Sequence, residues 1–176
     1  MSRQEVRFSG FGGQGVILMG HITGKAAAIY DGKNASLTQA YGPEARGGSC
    51  SAQVVIDNEK IDYPIVTSPD VLIAMSQAAY NTFRPGLKPD GILIYDSLLV
   101  KPAKDDKAKS FCIPAKTIAT QVGRQVVANI VMLGFMTKVG GLVSKEAMIK
   151  AIETSVPHHT LNLNMDAFQK GFDYSE

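Results

Sequence analysis

Cysteine is scarce in this chain: Cys50 and Cys112 are the two thiols among 176 residues. Two thiols so far apart cannot supply the ligands of an iron–sulfur cluster or a structural zinc within the chain, and each stands in a stretch where a small hydrophobe is wanted. Long apolar runs are missing as well. No stretch approaches the roughly 20 residues that span a bilayer, and the opening MSRQEVRFSG carries no apolar signal core. A cytosolic location is therefore expected, without a membrane. Lys and Arg are interspersed and leave a formal net charge of +2, so there is no basic stripe of the kind that tracks a phosphate backbone, and nucleic acid is not expected as a partner. His21, His158 and His159 show no metal-ligand spacing, and no metal site is expected from them. Internal repeats and low-complexity segments are absent.

What is present is an alternation of strand and helix signals. VRFS (6–9) alternates and stops at Gly10. From Gly13 to about Tyr30, small and apolar residues that include Val16, Gly20, Thr23, Gly24 and Ala27 recur at helical spacing, which lets a helix lie close on a sheet. ASLTQ (35–39) reads as a second strand. SAQVVID and KIDYPIV read as an antiparallel hairpin turning at Asp57 and Asn58. DVLIAM (70–75) and GILIYD (91–96) are short continuous apolar runs, as in strands buried on both faces, and SFCIP is a further strand. Helices are expected at SQAAYNTFRPGL, AKTIATQVG, RQVVANIVMLGFMTKV and KEAMIKAIETSV, the last capped by Ser144. VKPAKDDKAK (100–109) reads as a solvated polar connector. The fold expected is α/β: a three-layer α/β/α sandwich, Rossmann-like, with a mixed, mainly parallel sheet. Residues 1–176 are expected to form one domain, ending in a helical segment from about 157.

Gly10, Gly12 and Gly15 have the spacing G-x-G-x-x-G after a strand and before a helix, the place of a dinucleotide fingerprint. A nicotinamide site also needs an acid at the tip of the second strand for the ribose hydroxyls. Asp31 lies at the helix exit before that strand begins, and the tip carries Gln39, Ala40 and Tyr41 instead. The nicotinamide reading fails there. A glycine-rich turn at a helix N-terminus still presents N–H groups to an anion, helped by the helix dipole. The alternative is that Gly10, Gly12, Gly13 and Gly15 only permit a tight turn.

A second loop, YGPEARGG, displays Tyr41, Glu44 and Arg46 between a Gly-Pro turn and the pair Gly47 and Gly48. Both loops should emerge at the carboxyl edge of the sheet, where ligands bind in open α/β folds. Gln14 as an amide and Arg46 as a fixed cation would suit a diphosphate or adjoining amides. Asp96 ends a strand at the same edge, to line the site or to cap a helix. Asn129 is a polar residue within the apolar run VVANIVMLG, and a buried amide there requires partners, from packing near the site or from a subunit contact.

GFGGQG, YGPEARGG and AMSQAAY together closely resemble the gamma subunit of the 2-oxoacid:ferredoxin oxidoreductases, from about Val6 to Gly141. The resemblance implies the fold of the gamma domain, domain III, of the fused pyruvate:ferredoxin oxidoreductase. It implies a complex that oxidatively decarboxylates a 2-oxoacid to its acyl-CoA and reduces ferredoxin, with thiamine diphosphate, Mg2+ and iron–sulfur clusters held by other chains. Alpha and beta subunits, and a delta subunit where one exists, are the partners implied, and the isolated chain is expected to be inactive. On the resemblance 2-oxoglutarate is favoured as substrate over 2-ketoisovalerate and pyruvate, and the chain helps to bind coenzyme A and organise the complex. No catalytic residue is expected on it. The rival is a free-standing module that binds coenzyme A or a nucleotide. Met75, Tyr80, Phe83, Met132, Phe135 and Met136 form an apolar inventory from which partner-facing residues are expected, and the segment after Val156 is expected to be poorly ordered without partners.

Overall fold

The computed structural model describes residues 3–42 and 47–175. Six strands form one sheet: β1 (Gln4–Phe11), β2 (Asn34–Tyr41), β3 (Ser49–Asp57), β4 (Val71–Ala74), β5 (Ile92–Asp96) and β6 (Lys109–Ile113). Their order across the sheet is β2-β3-β1-β4-β5-β6. β1, β4, β5 and β6 run parallel, and β3 lies antiparallel between β1 and β2. β2 consequently runs in the direction of β1, so both strands end at the same edge.

Alternation along the strands divides the core in two. Val6, Phe8, Ala52, Val54, Ile73 and Ile94 face the larger core, which is covered by α1 (Val16–Lys25), α3 (Ala115–Val122), α4 (Ala128–Gly140), α5 (Lys145–Glu153) and α6 (Leu161–Asp173). Phe8 and Phe168 are fully buried there, each side chain contributing about 3 kcal/mol of apolar burial. Leu72, Ala74 and Leu93 face the other side, under Tyr80 of α2 (Gln77–Phe83), Leu87 and Val100. Gly20 lets α1 approach β3: a Cβ there would collide with the Cβ of Ala52.

Several expectations are corrected. The hairpin is β2–β3, paired from Asn34↔Asp57 to Tyr41↔Cys50, and KIDYPIV forms no strand. β3 is paired on both edges, by β1 and β2, so it offers no edge to a following strand at 60–66, and Pro64 could not donate to one. Helix α1 begins at Val16 because Gly13 and Gly15 have φ of 92° and 74°, outside the right-handed helical region. It continues after Lys25 as a π-helical turn, Ala26–Tyr30. The connector 100–109 is tied down: Asp106 accepts from Tyr80 Oη (2.6 Å) and from Arg84 Nε (2.8 Å), while Ala103 N donates to Tyr80 Oη (3.0 Å). Met75, Tyr80, Met132, Phe135 and Met136 are core residues with at most 6% exposure, and Phe83 packs against the smaller core. The segment beyond Val156 is seated through α6, whose Phe168 and Ala167 are fully buried.

Candidate functional site

The chain leaves β1 at Phe11 and turns through four residues into α1. Left-handed φ values at Gly13 and Gly15 make the turn, with Gly15 as the α1 N-cap. No side chain caps α1 and no acid stands in its first turn. Its first N–H groups lack intrahelical partners by geometry, and the helix dipole places partial positive charge there.

The second glycine segment lies directly against the first. Gly12 N donates to Gly48 O at 2.8 Å, and Gly42 N to Ser49 O at 2.6 Å. Backbone at Gly12 can approach Gly47 and Gly48 so closely because neither side carries a Cβ. Between the two segments opens a cleft of about 700 Å3, lined by Gly12, Gly13, Gly15, the first turn of α1 (Val16, Ile17, Leu18), Tyr41, Gly47, Gly48 and Cys50. Tyr41 is 69% exposed and its hydroxyl donates to Gln39 Oε1 at 2.7 Å. The exposed ring stands ready to stack on a flat ligand. Cys50 is buried, which pushes its thiol pKa up, so it serves as a neutral wall and not as a nucleophile.

Of the residues singled out in the sequence, Gly12, Gly13, Gly15, Tyr41, Gly47 and Gly48 meet at this cleft. Gly10 does not line it; it is the last but one residue of β1, beneath the turn, where an added Cβ would meet Gln14 Oε1 and Met75 Cβ. Glu44 and Arg46 lie outside the described residues. Gln14 is used internally: Oε1 accepts from Phe11 N at 2.7 Å and Nε2 donates to Met75 O at 2.8 Å. Its amide braces the turn against the end of β4, instead of offering both groups to a ligand. Asp96 is fully buried and orders loops, accepting from Leu98 N (2.9 Å) and from Lys116 N (3.0 Å) in the first turn of α3.

Sequence reasoning missed what surrounds the turn. β1 and β4 are adjacent and parallel, and their following helices α1 and α2 pack on opposite faces. That is a topological switch point, the usual ligand crevice of such sheets. A smaller cleft of about 290 Å3 opens there, lined by Gly13, Gln14, Met75, Leu99, Lys116 and Gln125 among others. A third, of about 240 Å3, runs from Gly13 and Gly15 past Arg124 and Asn129 to the start of α6. Lys116 and Arg124 carry no signal in sequence, because helix α3 and the bend after it bring them to the turn from more than a hundred residues away.

No three His, Cys, Asp or Glu side chains gather as a metal site among the described residues. Cys50 on β3 and Cys112 on β6 are separated by β1, β4 and β5, so the donor set of a cluster is not assembled from this chain's cysteines. No helix among the described residues is long and apolar enough to cross a membrane.

The family model of pyruvate ferredoxin/flavodoxin oxidoreductase matches residues 5–174. The 2-oxoglutarate synthase subunit KorC of Methanocaldococcus jannaschii is 47% identical over 99% of this chain and 95% of its own length. The ketoisovalerate oxidoreductase subunit VorA of Methanothermobacter marburgensis is 36% identical over 97% of this chain, which covers 36% of that longer protein. The crystal structure of the keto/oxoacid ferredoxin oxidoreductase gamma subunit from Geobacter sulfurreducens superposes with a TM-score of 0.90 at 43% identity, covering 98% of this chain and 96% of that one. The paired glycine segments thus stand within a chain-long likeness, and this chain belongs to the pyruvate ferredoxin/flavodoxin oxidoreductase family.

Proposed function

We propose that this chain is the gamma subunit of a 2-oxoglutarate:ferredoxin oxidoreductase, and that its glycine-turn cleft holds the nucleotide end of coenzyme A. The complex would convert 2-oxoglutarate to its acyl-CoA, releasing carbon dioxide and passing two electrons to ferredoxin. The substrate assignment is supported by the 47% identity to the 2-oxoglutarate subunit against 36% to the ketoisovalerate subunit. Thiamine diphosphate and Mg2+, on the alpha and beta chains, would supply decarboxylation, and the iron–sulfur clusters of the complex would supply electron transfer.

The observation that carries the coenzyme A reading is the cleft of about 700 Å3 between the two glycine segments, with the uncapped N-terminus of α1 at its floor. Free N–H groups and the dipole suit the diphosphate, and the exposed Tyr41 ring suits adenine. The chain's part in catalysis is then positioning. A thiol held near an acyl intermediate on a partner chain reacts as an intramolecular nucleophile, which removes much of the entropic barrier to acyl transfer.

The test is 2-oxoacid-dependent reduction of a viologen dye by the complex reconstituted with and without this chain. Comparing 2-oxoglutarate, 2-ketoisovalerate and pyruvate, each with and without coenzyme A, names the substrate. Activity that requires both this chain and coenzyme A supports the proposal; activity indifferent to the chain overturns it. Within the complex, Arg46→Ala should raise the coenzyme A requirement and spare 2-oxoacid decarboxylation, whereas equal loss of both would assign the glycine segments to assembly.

A further inference from the structure

Asn129 is a polar side chain on an apolar helix. It is 3% exposed, it is followed on α4 by buried residues from Ile130 to Thr137, and its Oδ1 has no hydrogen-bond partner among the described residues. Leaving a buried amide oxygen unpaired is costly, so native structures retain one where something else supplies the donor. The residue borders the cleft of about 240 Å3 between the glycine turn, the bend at 124–127 and the start of α6. This cleft meets the larger one at Gly13, Gly15 and Leu18, which line both.

We propose that this cleft is a second ligand subsite, which takes a chain bearing a secondary amide, with Asn129 as the anchoring hydrogen-bond partner. Most of its other lining surface is apolar, with Leu18, Val127, Val156 and Leu163 among it, while Arg124, Ser155 and Thr160 stand at the same walls. The apolar surface favours methylene and methyl groups over a polyhydroxylated or charged ligand. A carboxamide side chain can turn over about its last bond, so either its oxygen or its nitrogen can meet an incoming group. A secondary amide carries one donor and one acceptor, and so satisfies Asn129 in either setting. Asn164, 6% exposed and in the same cleft, already spends its Nδ2 on Thr160 O at 2.8 Å, which leaves Asn129 as the group in need. At about 30 Å3 for each water-sized group, the cleft has room for a short segment of on the order of eight non-hydrogen atoms.

The identity of that segment rests on the coenzyme A reading: the pantetheine arm carries secondary amides separated by short methylene runs. One ligand would then cross the ridge of Gly13 and Gly15, its nucleotide end on the α1 N-terminus and an amide of its arm at Asn129. A Cβ at Gly15 would strike the Asn129 amide, so the two subsites share a wall that only glycine keeps thin.

The experiment uses the reconstituted complex, with coenzyme A as substrate and ADP and pantetheine as competing probes. ADP reads the turn cleft and pantetheine reads the arm cleft. Asn129→Ala should raise the KM for coenzyme A about tenfold and weaken pantetheine competition to a similar extent, with the inhibition constant of ADP unchanged. Ser155→Trp fills the same cleft from a wall that the larger cleft does not share, and should reproduce that pattern without touching the turn. The inference is overturned if both variants, shown to be folded and assembled, keep the coenzyme A KM within twofold of the unsubstituted complex. It is equally overturned if Asn129→Ala weakens ADP as much as pantetheine while Ser155→Trp is silent, since Asn129 would then merely support the turn. Failure of ADP to compete in the unsubstituted complex would sink the turn-cleft reading instead, and pantetheine competition alone would decide the subsite.

Discussion

Gln14 and Met75 are joined across the crevice between β1 and β4, the Gln14 Nε2 donating to the Met75 carbonyl at 2.8 Å. The same amide accepts from Phe11 N at 2.7 Å, so one side chain fixes both the start of the glycine turn and its distance from the neighbouring strand. Gln14→Glu keeps the acceptor for Phe11 but sets a carboxylate oxygen against the Met75 carbonyl. A loss of about 2 kcal/mol is expected, or roughly 4–8 °C in Tm for a domain of this size. Calorimetry of the isolated chain measures it, and a shift under about 1 °C would mean that the turn holds its shape without this brace.

The glycine turn was legible in the sequence because φ values such as those at Gly13 and Gly15 leave few residue choices, whatever the tertiary context. Strand pairing was not legible in the same way. KIDYPIV has a strand's composition, yet β3 has both edges occupied by β1 and β2, and which edges are occupied is decided by segments far apart in the chain. The place of Gln14 at the turn is visible in the sequence but its bracing bond is not, since nothing local announces that the Met75 carbonyl, 61 positions away, meets its amide. Asn129 stood out as a polar residue in an apolar run. Its nearness to Gly15 arises only when α4 packs beside the turn.

Gly15 and Gly13 should separate strain from collision. Gly13 has a φ of 92° with open space where a Cβ would stand, whereas Gly15 has a φ of 74° and a Cβ would strike Asn129. Gly13→Ala should cost about 1–2 kcal/mol from backbone strain, and Gly15→Ala clearly more. Adding Asn129→Ala to Gly15→Ala should return most of the excess, since the amide is removed and the Asn129 Cβ stays at 3.1 Å, and leave the strain. A double-mutant cycle by urea denaturation checks this, and strict additivity would contradict the contact.

Asp106 gives the chain an acid-sensitive clasp. The hydrogen bonds from Arg84, and then that from Tyr80, hold its pKa down to about 2 from an ordinary 3.8. Because the folded value lies below the unfolded one, the unfolded chain binds the proton first, and the stabilisation is present above about pH 4 and lost as pH falls toward about 2. The side chain is 7% exposed, and the shift corresponds to about 2 kcal/mol. Urea midpoints measured between about pH 5 and about pH 2 should fall more steeply in the unsubstituted chain than in Asp106→Asn. Parallel curves would assign the acid sensitivity to other carboxylates.

The contact between α4 and α6 depends on two glycines that place backbone on backbone. A Cβ at Gly134 would run into the carbonyl of Phe168, and one at Gly171 into the carbonyl of Val131. Neither obstacle is a side chain that can rotate away, so relief requires α6 to move as a body. Gly171→Ala should therefore cost at least about 3 kcal/mol, even though alanine favours the helix by about 1 kcal/mol in isolation. The propensity gain and the packing loss have opposite signs, and a net loss shows that packing dominates. The consequence reaches the site, because residues at the start of α6 (Leu163 and Asn164) form one wall of the Asn129 cleft. Limited proteolysis of the isolated chain should leave the region beyond Val156 intact and should cut it readily in Gly171→Ala. Rapid cleavage there in the unsubstituted chain would mean that α6 is held in place by partner subunits and not by α4.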